Sequence, residues 1–576
     1  MAVPMHRPAP SARPREVAVG SRAEALELRP RCRSRALVAG GVLAATLVPV
    51  GHTWTAVAWC AGGPLACLAA GALLARLPRA DAVHRGLERL ASAGAARLLG
   101  MRPAVFCVSL ATVSLALCAA GASFLLERTP GAFDGALYLF AAKTLAAGRL
   151  VAPPPPIAEF FRTPYAILEP DRWYPQYPLG YPALLALGVL LGAPWLVNPV
   201  LTALDAVLVY RLGRRLAPEA DARIAALIAG LSPFAILVSS DFMSHASSLF
   251  CVTAFLLATT AFVQGAGAGS LLAAGLAGGF AFAIRPFSAV GACLVFALSA
   301  LATALRRRAW GALAAGLLGA APPLLGLALY DAATTGDPLK LGYVRLQGIA
   351  RTPGYGIAHG GIERWLEAAR HTAMHLNALE KDLFQLPLPG LALAAAAFVL
   401  RRPGRFEVAL GASFASLVLL YAAYPAVDLY LGPRFYFEGL SALAILSARG
   451  LTASLAWLRS AAVGPERRRL LAFATLAGVL LLWPVALVAR ARQVRAGYSD
   501  PAIVRAVEQR GPEKVLVFAP DVPLAQRIAC FAANAPALDG RLVCARELGA
   551  ADEELRARFP GRRAFRWEAG RLVELP

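Results

Sequence analysis

Asp134 opens the stretch "DGALYLFAAKTLAAGRL", directly after an apolar run that ends near Leu126. A carboxylate at the mouth of a membrane-length apolar segment reads in two ways. It N-caps the following helix, satisfying an orphaned backbone N–H, or it faces a cavity and acts as a general base. A second acid stands in "SSDFMSH", where Asp241 and His245 are spaced to share a helix face. An ionisable pair at a span end is either a functional candidate or an ordinary helix-end cap. Two arginines stand apart from the basic clusters: Arg285 in "AFAIRPF" and Arg434 in "LGPRFYFEGLSALAIL", with Glu438 close by. Arginine suits bidentate contact with phosphate oxygens, although either residue also reads as a snorkelling interfacial anchor.

The elements that must position these residues are membrane helices. The chain has 576 residues, 58% of them hydrophobic, and a mean hydropathy of +0.57. Its apolar stretches recur at the ~17–25 residues that cross a bilayer. The net charge of +22 sits mostly in short arginine-rich links, which the positive-inside rule explains better than nucleic acid does. Expected spans are 36–51, 54–76, 103–126, 195–212, 224–240, 246–264, 270–285, 287–305, 310–330, 387–402, 406–424, 437–456 and 470–489. Placing the basic links at 77–102, 211–223, 306–308, 401–405 and 467–469 inside puts loops 127–178 and 331–386 outside. The apolar segment 177–192 then reads as a partial or interfacial helix, because a full crossing would put 211–223 outside. About thirteen crossings from a cytoplasmic start leave the C-terminus outside.

The organisation that follows is a disordered cytoplasmic arm (1–35), a transmembrane hairpin with a basic link (36–102), a main transmembrane module (103–456), a last helix (457–490) and a small outer domain (491–576). The tail opens with the helix-like "DPAIVRAVEQRG" and continues with the strand patterns "KVLVFAP" and "GRLVCARELG", a small α/β appendage without a nucleotide motif. Of the nine cysteines, Cys530 and Cys544 share this polar region, and a disulfide between them requires an oxidising compartment.

The first outer loop, "EFFRTPYAILEPDRWYPQYPLGYP", combines aromatics, prolines and charge. Rings beside hydrogen-bonding groups suit a sugar or a lipid headgroup, which makes Tyr138, Tyr174 and Tyr177 candidate contacts; an interfacial aromatic belt is the plainer alternative. The second outer loop adds Lys340 and His359, and "HTAMH" spaces two histidines four apart. Without the HExxH glutamate or an evident third ligand, no metal motif is clear.

Taken in order, "DGALYLFAAKTLAAGRL", "YPQYPLGYPALLALG", "LVYRLGRRL", "LSPFAILVSSDFMSH", "AFAIRPF", "YDAATTGDPL" and "LGPRFYFEGLSALAIL" resemble the GT-C superfamily of polytopic glycosyltransferases. The likeness is to the family 39-like branch of protein O-mannosyltransferases and lipid A aminoarabinose transferases, over about residues 103–456. It implies an all-α polytopic fold and transfer of a sugar from a polyprenyl-phosphate donor to a lipid, glycan or protein acceptor on the outer face of a bacterial-type cytoplasmic membrane. It also implies that Asp134 occupies the catalytic acid/base position; the topology adds Asp241 as a second catalytic candidate, and no cofactor is implied, a divalent metal staying open without a clear motif. The leaving phosphate then makes Arg285, Arg434 and His245 its expected contacts, while Tyr138, Tyr174, Tyr177, His359 and Lys340 fall to the sugar or acceptor. Many relatives carry Asp-Glu where this chain has Asp134-Gly135. Two other classes stay open: a transporter or flippase, against which stand the absence of a repeat and the gathering of polar residues at one face, and a scaffold or sensor acting through its tail.

Overall fold

The computed structural model describes Ala44, Thr46, Leu47 and residues 54–348, 358–424, 426–460, 463–520 and 522–576. The expected arm at 1–35 lies outside the described residues, as does all but a fragment of the 36–51 span. Among the described residues nine helices are long and apolar enough to cross a membrane, or ten if one bent pair counts as a single span. The protein is a multi-pass helical membrane protein with a small C-terminal sheet.

Most expected spans take the anticipated form. Trp54–Ala75, Pro103–Leu125, Pro194–Leu216, His245–Val263, Pro286–Arg306, Trp310–Thr335, Arg405–Ala422, Arg434–Arg459 and Pro465–Ala496 are the long apolar helices. The 224–240 span is instead a pair, Glu219–Leu231 and Pro233–Ser239, bent by 44°. The break falls where Pro233 denies the ladder a donor, and Ser232 caps the new start by accepting from the Ala235 N–H at 3.2 Å.

Two expectations need correction or refinement. The 387–402 stretch is not a spanning helix, because its helix runs only over Ala392–Val399, about 12 Å at 1.5 Å per residue. Pro387 and Pro389 break what precedes it. The irregular piece is tolerated because protein covers it: Pro387 sits against Gly63 and Gly478, and Leu393 against Gly450. The 177–192 segment contains the helix Gly180–Leu190, about half a bilayer long.

Close packing relies on small residues. The helix Ala268–Ile284 lies so near Trp310–Thr335 that a side chain at Gly275 would strike the Gly316 backbone, and one at Gly319 that of Leu272. Without a hydrophobic drive between helices in lipid, such backbone approach is what holds a pair together.

Helix direction separates the two ends of the bundle. Arg449 bonds Asp221 at 2.7 Å and Glu407 at 2.8 Å, and Arg307 caps the carbonyl of Phe262 at 2.9 Å. The helices reaching those residues start, at their other ends, with His245, Pro286 and Arg434. The arginine-rich links and the candidate site therefore occupy opposite ends.

At the site end the chain is partly irregular. A hairpin pairs β1 (Ala166–Leu168) with β2 (Trp173–Pro175). The tail forms β3 (Val515–Ala519), β4 (Leu542–Arg546), β5 (Arg563–Glu568) and β6 (Arg571–Glu574), in the order β4-β3-β5-β6 with only β6 antiparallel. Alternation along β3 sends Val515 and Val517 to the tail's own core, with Phe565 and Trp567. Leu516 and Phe518 join the main core instead. The tail is thus docked on the first loop, and the disulfide Cys530–Cys544 ties its Leu524–Ala533 helix to β4.

Candidate active site

The helix Phe133–Ala146 carries Asp134 in its first turn. Ala132 occupies the cap position and no side chain caps the helix, so Asp134 is not the N-cap. Its Oδ1 instead accepts a 2.6 Å hydrogen bond from the Tyr177 hydroxyl. Burial first, and the neighbouring Asp134 charge second, push the Tyr177 phenol well above its ordinary value. Tyr177 therefore remains a neutral donor that orients the carboxylate. One turn along, Tyr138 lies 4.4 Å from the Tyr177 ring and hydrogen-bonds Ser244 at 3.0 Å.

No second acid would fit after Asp134 without displacement. A Cβ at Gly135 would lie 3.1 Å from the Pro130 side chain and 3.2 Å from that of Phe242. Gly135 thus sits in a closely packed loop.

Asp241 is buried and braces that loop. Its Oδ1 accepts from the Gly131 N–H at 3.2 Å, the Phe242 N–H at 2.6 Å and the Tyr498 hydroxyl at 2.6 Å. Burial raises its pKa despite these donors. Oδ2 has no hydrogen-bond partner among the described residues.

Arg285 stands between two helices and is spread over several partners. It reaches Ser244 at 3.2 Å, Ser288 at 3.2 Å, Tyr421 at 3.1 Å and Glu438 at 3.1 Å. His245 is fully buried on the far side of Glu438, 3.3 Å from the same carboxylate oxygen. Arg434 pairs with Asp428, contacts Met243 Sδ at 3.3 Å, and lies within the field of Asp134. Although burial opposes ionisation, Arg434 holds the Asp428 carboxyl below its ordinary value.

Beside Arg285 opens a cavity of about 380 Å³ whose walls are largely apolar, with Phe287, Leu420, Val290 and Val344 among them. Tyr343 lines it, and its ring meets Tyr177 at 5.8 Å. A path of side chains therefore runs from the cavity through Tyr343 and Tyr177 to Asp134.

The structure brings Asp134, Asp241, His245, Arg285, Arg434, Tyr138 and Tyr177 to one end of the bundle. Tyr174 lies apart, on β2, where it bonds Glu169 at 3.3 Å. His359 is exposed, and among the described residues the Lys340 side chain makes no hydrogen bond or ion pair with the cluster. In the "HTAMH" pair, His375 bonds the His371 carbonyl at 2.9 Å and stacks on Phe435 at 5.3 Å. Among the described residues no three potential ligands are grouped to hold a metal. Glu438, Asp428 and Tyr498 were not singled out from sequence. Glu438 had a local signal, four residues after Arg434 in "RFYFE"; Tyr498 had none.

Residues 178–325 match the family described as dolichyl-phosphate-mannose-protein mannosyltransferase. That match contains Asp241, His245 and Arg285. No curated protein matches the chain. Among solved structures, the crystal structure of ArnT from Cupriavidus metallidurans bound to undecaprenyl phosphate is 15% identical, with a TM-score of 0.46 over 81% of this chain and 91% of that one. Archaeal oligosaccharyltransferase AglB from Archaeoglobus fulgidus, in complex with an inhibitory peptide and a dolichol-phosphate, is 14% identical, with a TM-score of 0.40 over 80% and 69%. The cryo-EM structure of arabinofuranosyltransferase AftD from Mycobacteria is 18% identical, with a TM-score of 0.37 over 73% and 31%. The likeness to the family described as dolichyl-phosphate-mannose-protein mannosyltransferase thus covers residues 178–325, well under half of the chain.

Proposed function

We propose that the protein transfers a sugar from a polyprenyl-phosphate carrier to an acceptor hydroxyl on the extracytoplasmic face of a bacterial-type cytoplasmic membrane. The observation that carries this reading is the joining of Asp134 to the Arg285 cavity through Tyr177 and Tyr343. The apolar walls suit a prenyl chain, and Arg285 at their polar end suits its phosphate. The arginine-rich links at the opposite end then face the cytoplasm, and the disulfide lies on the oxidising side.

In this reading the Asp134 carboxylate takes the proton of the acceptor hydroxyl. The acceptor oxygen attacks the anomeric carbon as the bond from that carbon to the phosphate oxygen breaks. The bonding pair leaves with the polyprenyl phosphate, whose growing charge Arg285 and Arg434 stabilise. One displacement inverts the anomeric centre. His245, behind Glu438, positions that carboxylate and through it Arg285, rather than touching the donor.

Mass spectrometry of lipid-linked sugars and envelope glycans tests the proposal. A strain lacking the protein accumulates one lipid-linked sugar, and the wild-type gene clears it while an Asp134→Asn copy, expressed equally, does not. Unchanged lipid-linked sugars in the deletion strain would refute a polyprenyl-phosphate donor.

A further inference from the structure

A second cleft lies between the first loop and the tail, and the proposed reaction does not use it. It encloses about 240 Å³. Its base is the carboxyl edge of the parallel strands, with Ala519 ending β3 before Pro520 and Arg546 ending β4 before Glu547. Open α/β sheets bind ligands beyond the carboxyl ends of their strands, where the following loops diverge. The opposite wall is the first loop, from Phe160 to Thr163.

The lining is cationic and aromatic together. Among the described residues, Arg162, Arg527 and Arg546 face the cleft against a single acid, Glu547. That acid is already paired with Arg566 at 2.7 Å. Arg162 has only a long 3.7 Å contact with Glu159, and no ion pair engages Arg527 or Arg546 among the described residues. Phe133, Phe160, Phe161 and Phe531 supply ring surface. Unpaired guanidinium forks match carboxylate or phosphate oxygens, and aromatic faces accept the C–H faces of sugar rings.

The cleft also continues. A neighbouring cavity of about 480 Å³ runs along β1 and shares Arg162 and Thr163 with it. A groove that passes from the tail sheet to the β1–β2 hairpin fits several linked units better than one small ion.

We propose that this groove is a binding site for an acidic saccharide, whose carboxylate or phosphate groups sit on Arg162, Arg527 and Arg546 and whose rings pack on the phenylalanines. It is separate from the Arg285 cavity. Phe133 lines the groove, whereas its neighbour Asp134 bonds Tyr177.

Calorimetry on the full-length protein in detergent tests this, with a tetramer of glucuronic acid as the probe, a neutral glucose tetramer as its control, and inorganic phosphate as a third arm. The acidic tetramer binds at least about ten-fold tighter than the neutral one, and the preference shrinks as salt rises. Arg527→Gln and Arg162→Gln, on opposite walls, each weaken it several-fold without lowering the melting temperature. Phosphate binding as tight as the tetramer's would overturn the saccharide assignment and leave a simple anion site. Equal binding of both tetramers, binding of neither, or unchanged affinity in both variants overturns the proposal. The readout requires no turnover, so it stands apart from the fate of Asp134.

Discussion

The hydroxyl of Tyr498 lies 2.6 Å from Oδ1 of Asp241, a residue 257 positions earlier in the chain. The same hydroxyl donates no second proton, yet it also stands 2.9 Å from the Thr129 carbonyl. Asp241 in turn receives the Gly131 N–H. One tyrosine at the entry to the tail therefore locks the loop that leads into Asp134.

Removing that hydroxyl should loosen the loop. Tyr498→Phe leaves the Asp241 carboxylate short of a buried donor, a loss of about 1–3 kcal/mol. Transfer at saturating substrates should slow by about ten-fold, with KM for donor little changed. Steady-state kinetics and thermal unfolding report both effects. A variant as fast and as stable as the wild type would show that the tail does not brace the site.

Gly131 is constrained by the same contact. An added Cβ would overlap Tyr430 Oη and the Tyr498 ring. Gly131→Ala should therefore cost about 1–3 kcal/mol through overpacking and lower the transfer rate with it. The melting temperature decides the matter, since an unshifted value means that the loop and the tail do not meet here.

Arg285 should govern donor affinity. Its guanidinium holds four neighbours at once, which a lysine ammonium cannot reproduce. Arg285→Lys should raise the donor KM by at least about ten-fold, roughly 1.4 kcal/mol, and Arg285→Gln by more. Equal donor KM in wild type and both variants would remove the phosphate from this cavity.

Tail docking should depend on pH through Lys143. Its Nζ donates to the carbonyls of Ala532 at 2.7 Å and Asn534 at 3.1 Å. Burial lowers its pKa from 10.5 to about 8. Between those values the undocked chain binds the proton more tightly, so docking strengthens as pH rises across that window and is weaker below it. Protection of the tail from proteolysis should increase from pH 8 to 10 (corrected for protease activity), and Lys143→Met should abolish the trend. The same trend in that variant would place its origin elsewhere.

How far the site could be read from sequence follows the range of each interaction. Asp134, Asp241 with His245, Arg285 and Arg434 were legible because each marks a helix end in an apolar context. Their common end was legible because arginine-rich links mark the other. The broken 387–402 crossing was not, since a window of hydropathy does not weigh Pro387 and Pro389 against length. Glu438 is visible beside Arg434 in the sequence, but no local pattern assigns it the contacts it makes with His245 and Arg285. The Tyr498–Asp241 contact and the groove under the tail arise only when distant segments pack, and no local pattern encodes them. Tyr174 was chosen for its aromatic neighbourhood, but strand alternation turns it toward Glu169 while Trp173 packs on Phe140 at 4.5 Å.

The central claim is that Asp134 removes the acceptor proton while other groups hold the donor. Its most direct test is the rate of polyprenyl-phosphate release by purified Asp134→Asn protein, measured together with binding of the lipid-linked donor. The rate should fall by about 10²–10⁴-fold, the range for loss of a positioned base, with donor affinity within about two-fold of wild type. Release at the wild-type rate would contradict the account.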